Sequence, residues 1–118
     1  MRISVIGSGY VGLVTAACFA DSGNDVTAID NNADKVAALR AGRCPFFEPG
    51  LSELIQANTA TGRLRFTTDL PAGVAGAEVI FLAVGTPPRP DGSADLSAVE
   101  AVATAVGRAV TGPTIVVN

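Results

Sequence analysis

Gly7-Ser8-Gly9-Tyr10-Val11-Gly12 forms a G-x-G-x-x-G pattern, and the chemistry such a pattern supports is the cradling of a pyrophosphate. The pattern alone is common. Here it follows a β-rich run, Arg2-Ile3-Ser4-Val5-Ile6, and opens a stretch of small apolar residues of helical character. An acidic residue, Asp30, closes the next β-rich run, eighteen positions beyond Gly12. Those three contexts turn the pattern into a dinucleotide-binding mechanism. Gly7 permits the tight strand-to-helix turn, Gly9 lets the backbone approach the phosphates, and Gly12 lets the helix lie close on the strand, with Ala16 on the same face. The helix start, from Gly9 through Tyr10 and Val11, then offers free N–H groups and a partial positive charge to the anion. The alternative is that the glycines are turn residues and Asp30 a helix cap; the three contexts together argue against it.

Asp30 discriminates between cofactors. A carboxylate there accepts hydrogen bonds from the adenine-side ribose and repels a 2′-phosphate, and Asn31 and Asn32 follow it with no arginine to receive one. NAD is therefore favoured over NADP. Lys35 falls within the first turn or so of the next helix, close to the expected ribose, although spacing alone describes a solvated surface lysine equally well. A second glycine-bearing strand end is Val84-Gly85-Thr86-Pro87. In an open parallel sheet, ligands lie beyond the carboxyl ends of the strands where their order reverses. Val84, Gly85 and Thr86 are expected there, with the threonine hydroxyl able to bond the cofactor; the alternative is a turn stiffened by Pro87.

The remaining pattern supplies the scaffold. Val11, Leu13, Val14, Ala16, Ala17, Cys18, Phe19 and Ala20 make the first helix apolar on most of its circumference, which reads as a buried helix. Val26 to Ile29 is a second strand, and Asn31 or Asn32 caps a second helix that stops at Gly42. The segment Cys44-Pro45-Phe46-Phe47-Glu48-Pro49-Gly50 cannot be regular helix, and Leu51, Leu54 and Ile55 restart one. Leu64 and Phe66 alternate with polar residues in a half-buried third strand, after which Asp69 caps a short helix. Val79-Ile80-Phe81-Leu82-Ala83-Val84 is apolar on both faces and predicts a central strand. A last helix from Asp95 carries Leu96, Val99, Val102, Ala103 and Val106 on one side, and Thr114 to Val117 is a fifth strand. Strands alternating with helices predict an α/β fold, a Rossmann-type doubly wound parallel sheet in the order 3-2-1-4-5.

The composition fits one such domain over residues 1–118. Hydrophobic residues make up 48% of the 118 and charged ones 16%, and the mean hydropathy is +0.41. The net charge is −3 with no basic cluster, which argues against nucleic-acid binding. Two cysteines and no histidine are too few for a disulfide framework or a metal site, and they suit reduced thiols in the cytoplasm. No apolar run is long enough to span a membrane, and Met1-Arg2 leads directly into a strand. The fifth strand, with no covering helix after it, reads as the edge of a fragment.

Three segments carry a family resemblance. The opening Met1 to Leu13, the stretch Pro45-Phe46-Phe47-Glu48-Pro49-Gly50-Leu51, and Phe81-Leu82-Ala83-Val84-Gly85-Thr86-Pro87-Pro88 together resemble the UDP-glucose/GDP-mannose dehydrogenase family. The run Thr61 to Asp69 and the loop Asp91-Gly92-Ser93-Ala94-Asp95-Leu96 are most similar to its bacterial UDP-glucose-oxidising branch. The resemblance covers essentially the whole chain, as an N-terminal NAD-binding domain. It implies that the full-length enzyme, a homodimer, oxidises the C6 alcohol of UDP-glucose to a carboxylate with two NAD. It also implies that Val11, Asp30, Lys35 and Thr86 contact NAD, which raises Lys35 above a surface residue.

The same resemblance puts the catalytic cysteine, the lysine, the asparagine and most nucleotide-sugar contacts in later domains, and a Ser-Thr-Val-Pro segment just past the fifth strand. Oxidising an aldehyde to an acid needs a thiolate to form the hemithioacetal from which a second hydride leaves. Cys18, expected inside the buried first helix, and Cys44, in a loop with no general base nearby, do not match that nucleophile. These residues alone are expected to bind NAD weakly and to catalyse nothing. GDP-mannose or a UDP-N-acetyl-hexosamine remains open as the substrate. An NAD-sensing regulatory domain shares the opening unit but needs neither the Glu-Pro-Gly-Leu nor the Val-Gly-Thr-Pro segment. An FAD-dependent oxidase also begins with this unit, and the Asp30 plus Lys35 pairing and the Val-Gly-Thr-Pro turn argue against it.

Overall fold

The computed structural model describes residues 1–118. Five strands, β1 (Arg2–Ile6), β2 (Asp25–Ile29), β3 (Leu64–Thr67), β4 (Val79–Leu82) and β5 (Ile115–Val117), pair in parallel in the order β3-β2-β1-β4-β5. The register sets Ile3 between Val26 and Val79, and Ile6 between Ile29 and Leu82. The chain first winds outward from β1 to β3 and then crosses to β4 on the other side of β1. The order therefore reverses between β1 and β4, which opens a crevice above their carboxyl ends.

Five helices cover the two faces: α1 (Tyr10–Asp21), α2 (Ala33–Arg40), α3 (Leu51–Ala60), α4 (Leu70–Val74) and α5 (Ser97–Ala109). Strand side chains alternate between the faces. Ile3, Val5, Val26, Ala28, Leu64 and Phe66 meet α1, α2 and α3 in the larger core. Ile6, Ile29 and Ile80 meet Val74 and Val106 of α4 and α5 in the smaller one. Local chemistry starts the helices where the spacing predicts. The Asn32 side chain accepts from the Lys35 amide at 3.0 Å, and Asp69 accepts from the Ala72 amide at 3.1 Å. At the entry to α3, Gly50 takes φ +82°, a left-handed turn that suits glycine.

Four details differ from expectation. Strand β4 ends at Leu82 rather than Val84, because its partner β1 leaves the sheet at Gly7, so the ladder closes at Ile6 and Leu82. Only Ile80 of β4 is fully buried and all of β5 is exposed. On the face that α1 to α3 occupy, Val79 and Phe81 of β4 pack only at the margin of the larger core, Phe81 with its ring 5.2 Å from that of Phe19 in α1, and stay half-buried. Helix α5 begins at Ser97, so Leu96 is its exposed cap residue, and Ala103 also faces outward; Val99, Val102 and Val106 form the inner stripe. Helix α1 is buried along one stripe only, Leu13, Ala16, Ala17 and Ala20. Its outer side holds Val11, 67% exposed, and Cys18, which is exposed rather than buried.

Candidate dinucleotide site

The turn after β1 is built around two glycines. Gly7 has φ +102° and its amide donates to the Ile29 carbonyl at 2.8 Å, which turns the chain sharply out of the sheet. A Cβ on Gly7 would stand 2.6 Å from the Ala83 carbonyl oxygen, so the backbone just after β4 leaves no room for one. Gly12 lies against the Gly7 peptide and brings α1 down onto the strand. Gly9 serves a different purpose. Its φ of −72° is open to any residue and a Cβ there would meet nothing within 4 Å. Its lack of a side chain clears the space in front of the helix.

That space faces donors. The amides of Gly9, Tyr10, Val11 and Gly12 donate to no protein acceptor, no side chain caps the helix, and its first turn holds no acidic residue. Four free N–H groups at a helix N-terminus make an anion site through their geometry and the local dipole.

Asp30 stands at the end of β2 beside this turn. Its Oδ2 accepts from the Ser8 amide at 3.0 Å and the Ser8 hydroxyl at 2.7 Å, and its Oδ1 accepts from the Asn32 amide at 2.9 Å. Lys35 Nζ lies 3.5 Å from Oδ2. Burial works to raise the Asp30 carboxyl, but the hydrogen bonds from the Ser8 side chain and the Asn32 and Ser8 amides, with the Lys35 charge, outweigh it and hold the group below the usual carboxylate range. Asp30 is thus a fixed anion at neutral pH.

A cleft of about 220 Å³ opens beside it. The strand ends contribute Ile6, Gly7, Ile29 and Val84. Leu70 of α4 and Ala98, Ala101 and Val102 of α5 form the opposite wall, and Asp30, Asn31 and Thr68 are its polar groups. Ligand sites for drug-sized molecules run to about 300–1,000 Å³, so this cleft suits one end of a dinucleotide, such as an apolar-walled slot for a purine base.

The structure therefore groups Gly7, Asp30 and Val84 at one cleft, with Lys35 paired to Asp30 outside its lining and Gly9, Tyr10, Val11 and Gly12 at the adjoining helix start. Gly85 and Thr86 do not line the cleft. They lie exposed in the loop after β4, where the Thr86 hydroxyl has no hydrogen-bond partner in the protein. Ala83 anchors the base of this loop to β1 through its 2.8 Å bond to the Ile6 carbonyl. The Tyr10 side chain takes another role: its hydroxyl donates to Glu48 Oε2 at 3.0 Å and its ring packs 5.3 Å from Phe46. Ser8, Asn31, Thr68 and the α5 wall escaped the motif reading. A hydroxyl inside the glycine turn was the one available sign of Ser8; the helix wall is set by tertiary packing and left no local sign.

The model of the UDP-glucose/GDP-mannose dehydrogenase family, NAD binding domain, matches residues 1–118. The UDP-glucose 6-dehydrogenase of Rhizobium meliloti is 52% identical over 119 residues, covering 100% of this chain and 27% of that protein. The solved UDP-glucose dehydrogenase of the archaeon Pyrobaculum islandicum superposes with a TM-score of 0.87 at 50% identity, over 92% of this chain and 25% of that one. A ternary complex of GDP-mannose dehydrogenase from Pseudomonas aeruginosa gives 0.89 at 41% identity, over 92% of this chain and 25% of that one. The chain spans about a quarter of the length of the relatives it matches.

Proposed function

Because the chain belongs to the UDP-glucose/GDP-mannose dehydrogenase family as its NAD-binding domain, we propose that it holds the cofactor of an enzyme that oxidises the C6 alcohol of UDP-glucose to a carboxylate, using two NAD per sugar. NAD is the cofactor. The observation that carries the reading is the start of α1, where four amides have no protein acceptor, with open space at Gly9 and the fixed carboxylate of Asp30 beside the turn. The 52% identity to a UDP-glucose 6-dehydrogenase favours that sugar over GDP-mannose, whose dehydrogenase is 41% identical.

Bound NAD supplies the hydride acceptor. The protein groups bind and orient it. The amides of Gly9, Tyr10, Val11 and Gly12 hold the pyrophosphate, Asp30 and Lys35 hold the adenine-side ribose, and the Ile6–Val102 cleft takes the adenine. Val84 lines the adenine cleft, and Gly85 and Thr86 beyond it flank the other half of the cofactor, with the free Thr86 hydroxyl as a donor. The catalytic thiol and most nucleotide-sugar contacts belong to parts of the enzyme outside these residues, since Cys18 and Cys44 are single thiols away from the cleft. The enzyme works as a homodimer in the cytoplasm, a reducing compartment that suits two free thiols. No helix here is long and apolar enough to cross a membrane.

The test is direct. The enzyme containing this chain, given UDP-glucose and NAD, is expected to form two NADH per sugar and release UDP-glucuronate. Faster oxidation of GDP-mannose would reassign the substrate, and activity with NADP alone would overturn the cofactor reading.

A further inference from the structure

Asp30 is not free to turn. Each carboxylate oxygen accepts about two hydrogen bonds. Oδ2 is filled by the amide and hydroxyl of Ser8, with the Lys35 ammonium 3.5 Å away, whereas Oδ1 accepts only from the Asn32 amide. Ser8 is 1% exposed, so neither of its donors is exchanged for water. One acceptor position therefore remains on the carboxylate, and it is on Oδ1.

We propose that Ser8 is a positioning residue for cofactor choice: its two bonds to Asp30 Oδ2 lock the carboxylate so that Oδ1 meets the ribose and a 2′-phosphate meets a charge that cannot turn away. The inference rests on the reading that Asp30 binds the adenine-side ribose. A carboxylate held from one side only would rotate, and rotation would let Lys35 neutralise an added phosphate. With Ser8 in place, Lys35 stays paired to the same oxygen that Ser8 holds. The residue occupies the first variable position of the glycine pattern, so its side chain is set by neither the turn nor the helix packing.

The hydroxyl bond also stabilises the ionised form. Among the groups around Asp30, Lys35 is the charged one in contact. The cleft walls from α4 and α5 present Leu70, Ala98, Ala101 and Val102, and the strand ends add nothing that titrates. Asp34, the next carboxylate on α2, is exposed and makes no bond to Asp30. Removing the hydroxyl leaves burial opposed by fewer bonds, so the Asp30 carboxyl moves upward.

The experiment titrates NAD and NADP into this chain and into its Ser8→Ala and Asp30→Asn variants, from neutral pH down to about pH 3. Ser8→Ala is expected to narrow the preference for NAD over NADP by about tenfold, the scale of one lost hydrogen bond to a charged group. It is also expected to lose NAD affinity at a higher pH than the parent; the titration of adenine itself is common to both proteins and cancels. If Asp30→Asn weakens NAD while Ser8→Ala keeps the parental preference and pH profile, the role of Ser8 is overturned and the ribose reading stands. If Asp30→Asn leaves NAD affinity unchanged, the ribose reading fails and takes the proposal with it. Ser8→Cys, which keeps a side chain of the same shape, slightly larger, and weakens the donor, carries the same test should Ser8→Ala fail to fold.

Discussion

Gly12 packs so closely on Gly7 that a methyl group added to it would collide with the Gly7 carbonyl oxygen and stand 2.8 Å from the carbonyl carbon. The obstacle is backbone, which cannot swing aside as a flexible side chain would. The same glycine pattern contains Gly9, where an added methyl meets nothing within 4 Å. Of two glycines three residues apart, one is thus required by packing and the other leaves open space before the helix.

The first prediction separates those roles. Gly12→Ala is expected to cost about 1–3 kcal/mol or more through overpacking, seen as a lower denaturation midpoint. Gly9→Ala is expected to keep stability within about 1 kcal/mol, alanine being a poorer cap than glycine, yet weaken NAD binding by crowding the pyrophosphate. Equal loss of stability in both variants would contradict the division.

Asp30→Ala is expected to lower NAD affinity by about tenfold or more while the fold survives, since it removes a charged acceptor. It also leaves the Ser8 amide and hydroxyl without their acceptor, at a cost of about 1–3 kcal/mol. Asp30→Asn retains an acceptor and is expected to lose less stability. Titration by calorimetry together with thermal melts separates the two effects.

Acid sensitivity follows from the same group. The folded Asp30 carboxyl lies below its ordinary value of 3.8. Its contribution to stability is therefore fully present above that ordinary value and is lost as pH falls through the folded one. Melting temperatures measured across the acid range are expected to fall less steeply in Asp30→Asn than in the parent. Parallel curves would show that Asp30 contributes nothing to the acid transition.

Tyr10 is the only tyrosine in the chain, which makes its ionisation readable by ultraviolet absorbance. Its phenol is raised above 10.0, first by the hydrogen bond to Glu48 and then by the Glu48 charge. Glu48→Gln is expected to bring the titration back toward the ordinary value. The pair is exposed, so its removal is expected to leave the melting temperature essentially unchanged.

The two sides of α1 give a last contrast. Leu13 is fully buried, and Leu13→Ala is expected to cost about 2–5 kcal/mol. Cys18 is exposed, so Cys18→Ser is expected to stay within about 0.5 kcal/mol and the native thiol to react promptly with a labelling reagent. Protection of Cys18 in the native protein would restore the reading of α1 as a helix buried all round.

Much of this protein was legible before folding was considered. The alternation of apolar strands with helical stretches specifies the β3-β2-β1-β4-β5 sheet, because right-handed crossovers leave few other arrangements. Asn32 and Asp69 announce their caps through short-range chemistry, and the glycine pattern with Asp30 announces the dinucleotide turn. Each of these depends on residues close in sequence or on a strict spacing.

What tertiary structure alone decided depends on which surfaces meet. The apolar content of α1 is the same on both sides, but only the Leu13–Ala20 stripe touches the sheet, so Cys18 and Val11 lie outside. The six apolar residues from Val79 stop pairing at Leu82, because a strand is as long as its neighbour allows and β1 ends at Gly7. Asp30 is placed at the end of β2, beside the glycine turn, by its own spacing, but its carboxylate is held by Ser8, twenty-two positions earlier in the chain. The sequence by itself determined which residues gather at the glycine turn and the end of β2; folding decided which way their atoms point, because direction comes from hydrogen bonds and packing between segments that are distant along the chain.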